Sequence, residues 1–231
     1  MKTAGIIGGI GPESTVDYYR SIISAYKVRL GDDSSPSLLI ASVDVQKLLV
    51  LMTANRLADL VAYLAPEVER LARGGADFAA ISANTPHIVF DELRRRSPIP
   101  MISIVEATRD AATARGLSRL LLLGTRFTME ARFYADVCAV KGIDVVVPDA
   151  AERVYIHAIY VDELLQGQFR DETRDALLGL IARYAEAGRI DGVVLGGTEL
   201  PLLLRRADHH GVPFLDTTRI HVDAIVNALL A

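Results

Sequence analysis

Short unbroken apolar runs alternate with longer amphipathic stretches along this chain, and that alternation limits the fold more than any other feature of the sequence. The runs at residues 4–7, 38–42, 78–82, 119–123, 144–147, 192–195 and 213–215 are too short for helices. Continuous rather than alternating hydrophobicity marks strands covered on both faces, the condition of a parallel sheet flanked by helices. The clearest helical segments between them are 13–26, 55–73, 128–141, 171–187 and 217–230. In the second of these, Leu57, Leu60, Val61, Leu64, Val68 and Leu71 recur at three- and four-residue spacing as one apolar stripe. Gly74 and Gly75 then close the helix. Such alternation predicts an α/β fold with parallel sheets and right-handed crossovers.

A chain of 231 residues supports one large domain or two small ones, each with its own core. Its hydrophobic fraction of 51% and charged fraction of 23% are those of a soluble globular protein. A net charge of −4 offers no basic stripe for nucleic acid, and Arg94, Arg95 and Arg96 read as a solvated helix end. The single cysteine, Cys138, leaves no disulfide within the chain and no paired-cysteine zinc site, so no metal is expected. The apolar stretch 4–10 is cut by Gly8 and Gly9 and is too short for a secretory signal. No run reaches the ~20 residues needed to cross a bilayer. The expectation is a cytoplasmic enzyme with neither a membrane nor a nucleic-acid partner.

The chain carries a faint internal echo. Residues 74–82 and 188–195 share one plan: a helix end, an aspartate, an apolar strand and a small polar loop. The first loop is Ser82-Ala83-Asn84-Thr85, and the second is Gly196-Gly197-Thr198-Glu199. Two such loops point to two similar Rossmann-like lobes, 1–112 with 212–231 and 113–211. Ligands of α/β sheets bind at the C-terminal ends of strands, so an active-site cleft between the lobes would be lined by both loops.

Four loops could carry chemistry. Gly8-Gly9-Ile10-Gly11-Pro12-Glu13 follows the first strand and could present backbone N–H groups to a carboxylate. It is not a dinucleotide fingerprint, and a tight strand-to-helix turn with Pro12 near the first helical position explains it equally well. In Asn84-Thr85-Pro86-His87, Asn84 and Thr85 can donate to a carboxylate or cap a helix. His87 falls in the first turn, as a surface or supporting histidine or as a base. Thr125 stands at a strand end and Thr128 makes a credible N-cap, so either could cap or touch a ligand. Glu199 could be a base, or a first-turn carboxylate favoured by the helix dipole. His209-His210-Gly211 reads as the end of a surface helix, and adjacent histidines make a poor metal pair.

Taken together, the segments G-G-I-G-P-E-S-T, G-A-D-F with A-I-S-A-N-T-P-H, L-L-L-G-T-R-F-T, V-L-G-G-T-E-L-P and F-L-D-T-T resemble the aspartate/glutamate racemase family in order and spacing. The resemblance covers nearly the whole chain. It implies a two-lobed α/β fold, chemistry at an amino-acid Cα without a cofactor, a small amino-acid or carboxylate ligand, and a homodimer. In the family one cysteine directly precedes the Asn-Thr pair and another the Thr-Glu pair; some relatives replace one of them by threonine. Here those slots hold Ala83 and Gly197. Some relatives also hold the substrate's distal carboxylate with a lysine where this chain has Leu165.

Racemisation needs an acid and a base on opposite faces of a planar carbanion. Without the two thiols the proton carriers left at these loops are Ser82, Thr85, Thr198, Glu13, Glu199 and His87. Glu199 is the best base if burial raises its pKa, with His87, or Ser82 assisted by another group, the candidate for the other face and Thr198 beside it. The substrate-binding candidates are Gly9, Ile10, Gly11, Asn84, Thr85, Thr125, Thr128, Gly197 and Thr198. Three functions remain open: a racemase-like isomerase with a replaced acid/base pair, a decarboxylase or lyase needing one proton donor, and a non-catalytic carboxylate-binding homologue.

Overall fold

The computed structural model describes residues 2–231. The chain divides into two compact units: residues up to Ile104 together with Thr218–Ala231, and Val105–Thr217. The divisions expected at residues 112 and 211 lie a few residues away. The helix Ile104–Ala114 falls almost wholly in the second unit, and the strand that begins at Val212 pairs into that unit's sheet.

The strands are β1 (Thr3–Gly8), β2 (Ser37–Ser42), β3 (Phe78–Ile81), β4 (Met101–Ile102), β5 (Arg119–Gly124), β6 (Asp144–Val146), β7 (Gly192–Gly196), β8 (Asp208–His209) and β9 (Val212–Asp216). The first unit holds a parallel sheet in the order β2-β1-β3-β4. β1 is central, with Ala4 opposite Leu38 on one side and Phe78 on the other. Alternate residues of β1 serve opposite faces. Ala4 and Ile6 pack with Tyr18, Ile22 and Tyr26 of helix Pro12–Leu30 and with Val222, Ile225, Val226 and Leu229 of helix Thr217–Leu230. On the other face Gly5 lies under helix Leu57–Arg73, where a Cβ would come within 3.1 Å of Leu71 Cβ. The apolar stripe of that helix buries Leu60, Val61, Leu64, Val68 and Leu71.

The second unit's sheet runs β6-β5-β7-β9-β8, parallel except for the last pair. Leu121, Leu123, Val193 and Leu195 from β5 and β7 are packed with Ile156, Tyr160 and Leu164 and with Leu177 and Ile181 from helix Asp171–Glu186. Helix Ala150–Asp162 begins at a capping box: the Asp149 carboxylate accepts from the Glu152 N–H, and the Glu152 carboxylate accepts from the Asp149 N–H. That arrangement satisfies two otherwise open donors.

Two expectations about local structure are corrected. The single helix expected over 128–141 is two, Arg126–Glu130 and Phe133–Ala139, because Ala131 adopts an extended backbone between them. His209-His210-Gly211 is a hairpin and not a helix end. His210 (φ 51°) and Gly211 (φ 79°) are both left-handed, the backbone that a tight two-residue turn between antiparallel strands requires.

Candidate functional site

The loops singled out in the sequence stand at the C-terminal ends of β1, β3, β5 and β7. In the first unit, the glycine loop after β1 is a closed turn. Gly9 (φ 81°) and Gly11 (φ 89°) are left-handed, and a Cβ at Gly9 would meet the Val43 nitrogen at 2.7 Å. The Thr15 hydroxyl accepts from the Gly9 N–H at 2.9 Å and donates to the Gly11 carbonyl at 3.3 Å. The Gly9 donor considered for a ligand is therefore already engaged, and Ile10 is buried.

The serines near this loop are engaged as well. Ser82 donates to the Ile7 carbonyl at 3.1 Å, and Ser14 donates to the Ser82 carbonyl at 2.8 Å. Ala83 and Asn84 are buried, and Thr85 is half-buried at the start of the 3-10 turn Thr85–Val89. Asn84 precedes that turn without capping it through its side chain.

His87 takes the supporting role, one of the readings the sequence left open. Its ring is buried, stacked on Phe90 with centroids 4.7 Å apart. Nδ1 lies 3.0 Å from the Ala83 carbonyl, and Nε2 accepts the Ile104 N–H at 3.3 Å. One tautomer satisfies both contacts: Nδ1 carries the proton and Nε2 the lone pair. Burial first, and then the neighbouring His221, push its pKa down to about 3. Its basic nitrogen already serves a backbone donor, so His87 braces the loop from Ala83 to Ile104. His221, which the sequence did not single out, is held in the same way. Nδ1 lies 2.9 Å from the Tyr18 hydroxyl and Nε2 3.1 Å from the Ile102 carbonyl, and burial lowers its pKa to about 4.

In the second unit, Thr125 rather than Thr128 is the N-cap of the helix after β5: its hydroxyl accepts from the Thr128 N–H at 3.3 Å. Thr128 is fully buried, its hydroxyl 3.2 Å from that of Thr125. β5 and β7 approach closely at their ends, where a Cβ on Gly124 would lie 2.7 Å from the Gly196 carbonyl oxygen.

The loop after β7 is different in kind. Glu199 is only 5% exposed, yet its carboxylate caps no helix. Instead, Oε2 accepts hydrogen bonds from the Thr198 hydroxyl, at 2.9 Å, and from the Tyr160 hydroxyl. Burial raises the Glu199 pKa, and the hydrogen bonds from Tyr160, from Thr198 and from its own backbone only partly oppose it. Tyr160, 3% exposed, has its phenol pushed well above the usual range, by burial first and then by the adjacent carboxylate. The ring of Tyr160 also covers Gly197: a Cβ there would fall 2.5 Å from Tyr160 Cε2 and 2.7 Å from Cζ. Any side chain at position 197 would need the space that Tyr160 fills.

Tyr160 is the site residue that reading the sequence did not find. A signal for its helix was present, since Asp149-Ala150-Ala151-Glu152 is a capping-box pattern. Its approach to Glu199, 39 residues further on, leaves no local trace. Cys138 lies buried in helix Phe133–Ala139, where burial raises its thiol to about 11, so it is a poor proton carrier at neutral pH. Among the described residues no group of three or more His, Cys, Asp and Glu could hold a metal ion, and no helix is long and apolar enough to cross a membrane.

Comparison with known proteins gives this arrangement its context. The Asp/Glu/Hydantoin racemase family matches residues 7–225. A provisionally assigned Asp/Glu racemase from Yersinia pestis is 33% identical, with a TM-score of 0.91 and full coverage of both chains. An aspartate racemase homologue from Pyrococcus horikoshii OT3 is 34% identical at a TM-score of 0.87, again over both whole chains. The broad specificity amino-acid racemase RacX of Bacillus subtilis is 26% identical over 151 residues, a match that spans 63% of this chain and 64% of RacX.

Proposed function

We propose, from the premise that the chain belongs to the Asp/Glu/Hydantoin racemase family, that it acts without a cofactor on the Cα–H bond of a small amino acid or carboxylate, with Glu199 as its proton carrier. The observation that carries this reading is the buried Glu199 carboxyl at the end of β7, hydrogen-bonded by Thr198 and Tyr160 and raised in pKa. A proton carrier works best when its pKa lies near the working pH, and an ordinary glutamate lies too low. Burial moves Glu199 in the required direction. Aspartate- and glutamate-like compounds are the first candidate substrates.

Proton NMR in D₂O on a panel of amino acids, both enantiomers of each, tests the reading. Loss of the α-proton signal with the wild-type protein, abolished in Glu199→Gln, is the expected result. An unchanged α-proton throughout the panel would reject Cα–H chemistry on these substrates.

One observation favours a second reading. At the loop after β3, the slot residue is Ala83, Ser82 is bonded to backbone, and both His87 nitrogens are engaged. A reaction that delivers a proton from one side only, such as decarboxylation through the same enediolate-like intermediate, needs no partner at that loop. Carbon dioxide release from a malonate-like substrate, with no α-exchange in amino acids, would select it.

A further inference from the structure

We propose that the hydroxyl of Tyr160 takes the place of the side chain missing at Gly197 and is the group that exchanges a proton directly with the substrate, with Glu199 as its reservoir. This rests on the Cα chemistry proposed above and names the atom that performs it. Three observations carry it. A Cβ at position 197 would lie 2.7 Å or less from the phenol ring, so a side chain there would require Tyr160 to shift. The first atom of any side chain at that position would thus sit against the Tyr160 hydroxyl end. The same hydroxyl is bonded to a carboxylate that is itself buried and held by Thr198. A buried tyrosine–carboxylate pair at the C-terminal end of a parallel strand is where such a fold presents chemistry to ligands.

The balance of the step follows from the pair. When a proton is removed, the substrate C–H bond breaks and its electron pair stays on the substrate, delocalised into the adjacent carboxylate. The Tyr160 oxygen takes that proton while its own passes to Glu199 Oε2. The phenol stays neutral, and the negative charge moves from Glu199 to the substrate. Protonation is the reverse: Tyr160 gives its proton to carbon and recovers one from the Glu199 carboxylic acid. A phenol alone is too weak a base, and the carboxylate supplies the missing driving force. The raised pKa of Glu199 agrees with a carboxyl that can cycle between the two forms.

The test uses the full-length protein and the α-exchange assay. Tyr160→Phe keeps the ring and its packing, and the expected result is a fall of at least 100-fold in kcat for exchange with KM within threefold and an unchanged thermal midpoint. Site-specific replacement of Tyr160 by a fluorinated tyrosine, a stronger phenolic acid, should move the alkaline limb of the pH–rate profile to lower pH. A space-filling phenol would not cause that shift. The double variant Gly197→Cys with Tyr160→Val opens the pocket and installs a thiol, and it should recover exchange lost in Tyr160→Phe. Exchange by Tyr160→Phe within threefold of wild type would overturn this inference alone. So would a loss in Tyr160→Phe with no movement of the fluorotyrosine profile, which would leave Tyr160 a positioning residue for Glu199. A wild-type protein inert toward the whole panel would overturn the functional reading and this inference with it.

Discussion

The loops after β3 and β7 come from similar sequence plans, and both lack a thiol, but they differ in what their polar groups are doing. At the first, Ser82 and His87 serve the backbone. Ser82 holds the Ile7 carbonyl, and His87 holds the Ala83 carbonyl and the Ile104 N–H. At the second, the Glu199 carboxylate accepts from two side-chain hydroxyls, those of Thr198 and Tyr160, as well as from backbone. A group that completes a backbone ladder cannot leave it without exposing a buried partner. Groups that bond to each other can pass a proton between them and stay satisfied. The contrast is the reason Glu199, and not His87, is proposed as the proton carrier.

Four measurements would break or sharpen that contrast. The largest effect is expected from Glu199→Gln, which keeps the shape but not the acid. Exchange or decarboxylation should fall by about 10²–10⁴-fold, the usual contribution of a general acid or base. Retention of activity in steady-state kinetics would place the chemistry elsewhere.

His87→Ala comes next. It removes a stacked, buried ring together with its hydrogen bonds to the Ala83 carbonyl and from the Ile104 N–H. A loss of about 2–4 kcal/mol in urea-induced unfolding is expected. Residual folded protein should retain most of its turnover; a collapse of kcat with stability intact would make His87 a catalytic residue after all.

Gly197→Ala is the third. The added methyl meets the Tyr160 ring, and overpacking of this kind costs about 1–3 kcal/mol. Adding Tyr160→Leu to the same chain should restore stability while leaving exchange abolished. If Gly197→Ala alone unfolds at the wild-type denaturant midpoint, the claim that Tyr160 occupies that space fails.

The smallest effect per step is on pH dependence. His87 and His221 titrate near 3 and 4 in the fold and near 6.5 when unfolded. Between those values the unfolded chain binds more protons, so their contribution is fully present above pH 6.5 and is lost as pH falls toward 4. Each histidine contributes a slope of up to about 1.4 kcal/mol per pH unit. His221→Asn should flatten the fall of the thermal midpoint between pH 6.5 and 4.5. Glu199 has the opposite sign: its raised pKa weakens the fold as pH rises past the unfolded value. Glu199→Gln should therefore unfold at a higher temperature than wild type at neutral pH.

The expected strands and most of the expected helices lie where the sequence places them, because continuous apolar runs and 3-4 stripes depend only on local spacing. The helix Leu57–Arg73 and its buried stripe are a case in point. Legibility failed where the backbone alone decides, as at Ala131 and at the left-handed pair His210-Gly211. At the candidate site, Glu199 stood out from sequence because a carboxylate beside glycines at a strand end has few structural uses. His87 also stood out, and the fold gave it a bracing role, since residue type does not reveal whether a lone pair is already engaged.

By itself the sequence determined the two-sheet α/β plan and the family, since each of these rests on residues read in order along the chain. What packs against Gly197 was decided by tertiary structure alone. The last turn of helix Ala150–Asp162 brings Tyr160 over Gly197 and into contact with a carboxylate 39 residues away. The contact follows from how that helix packs on β5 and β7, and no local pattern encodes it.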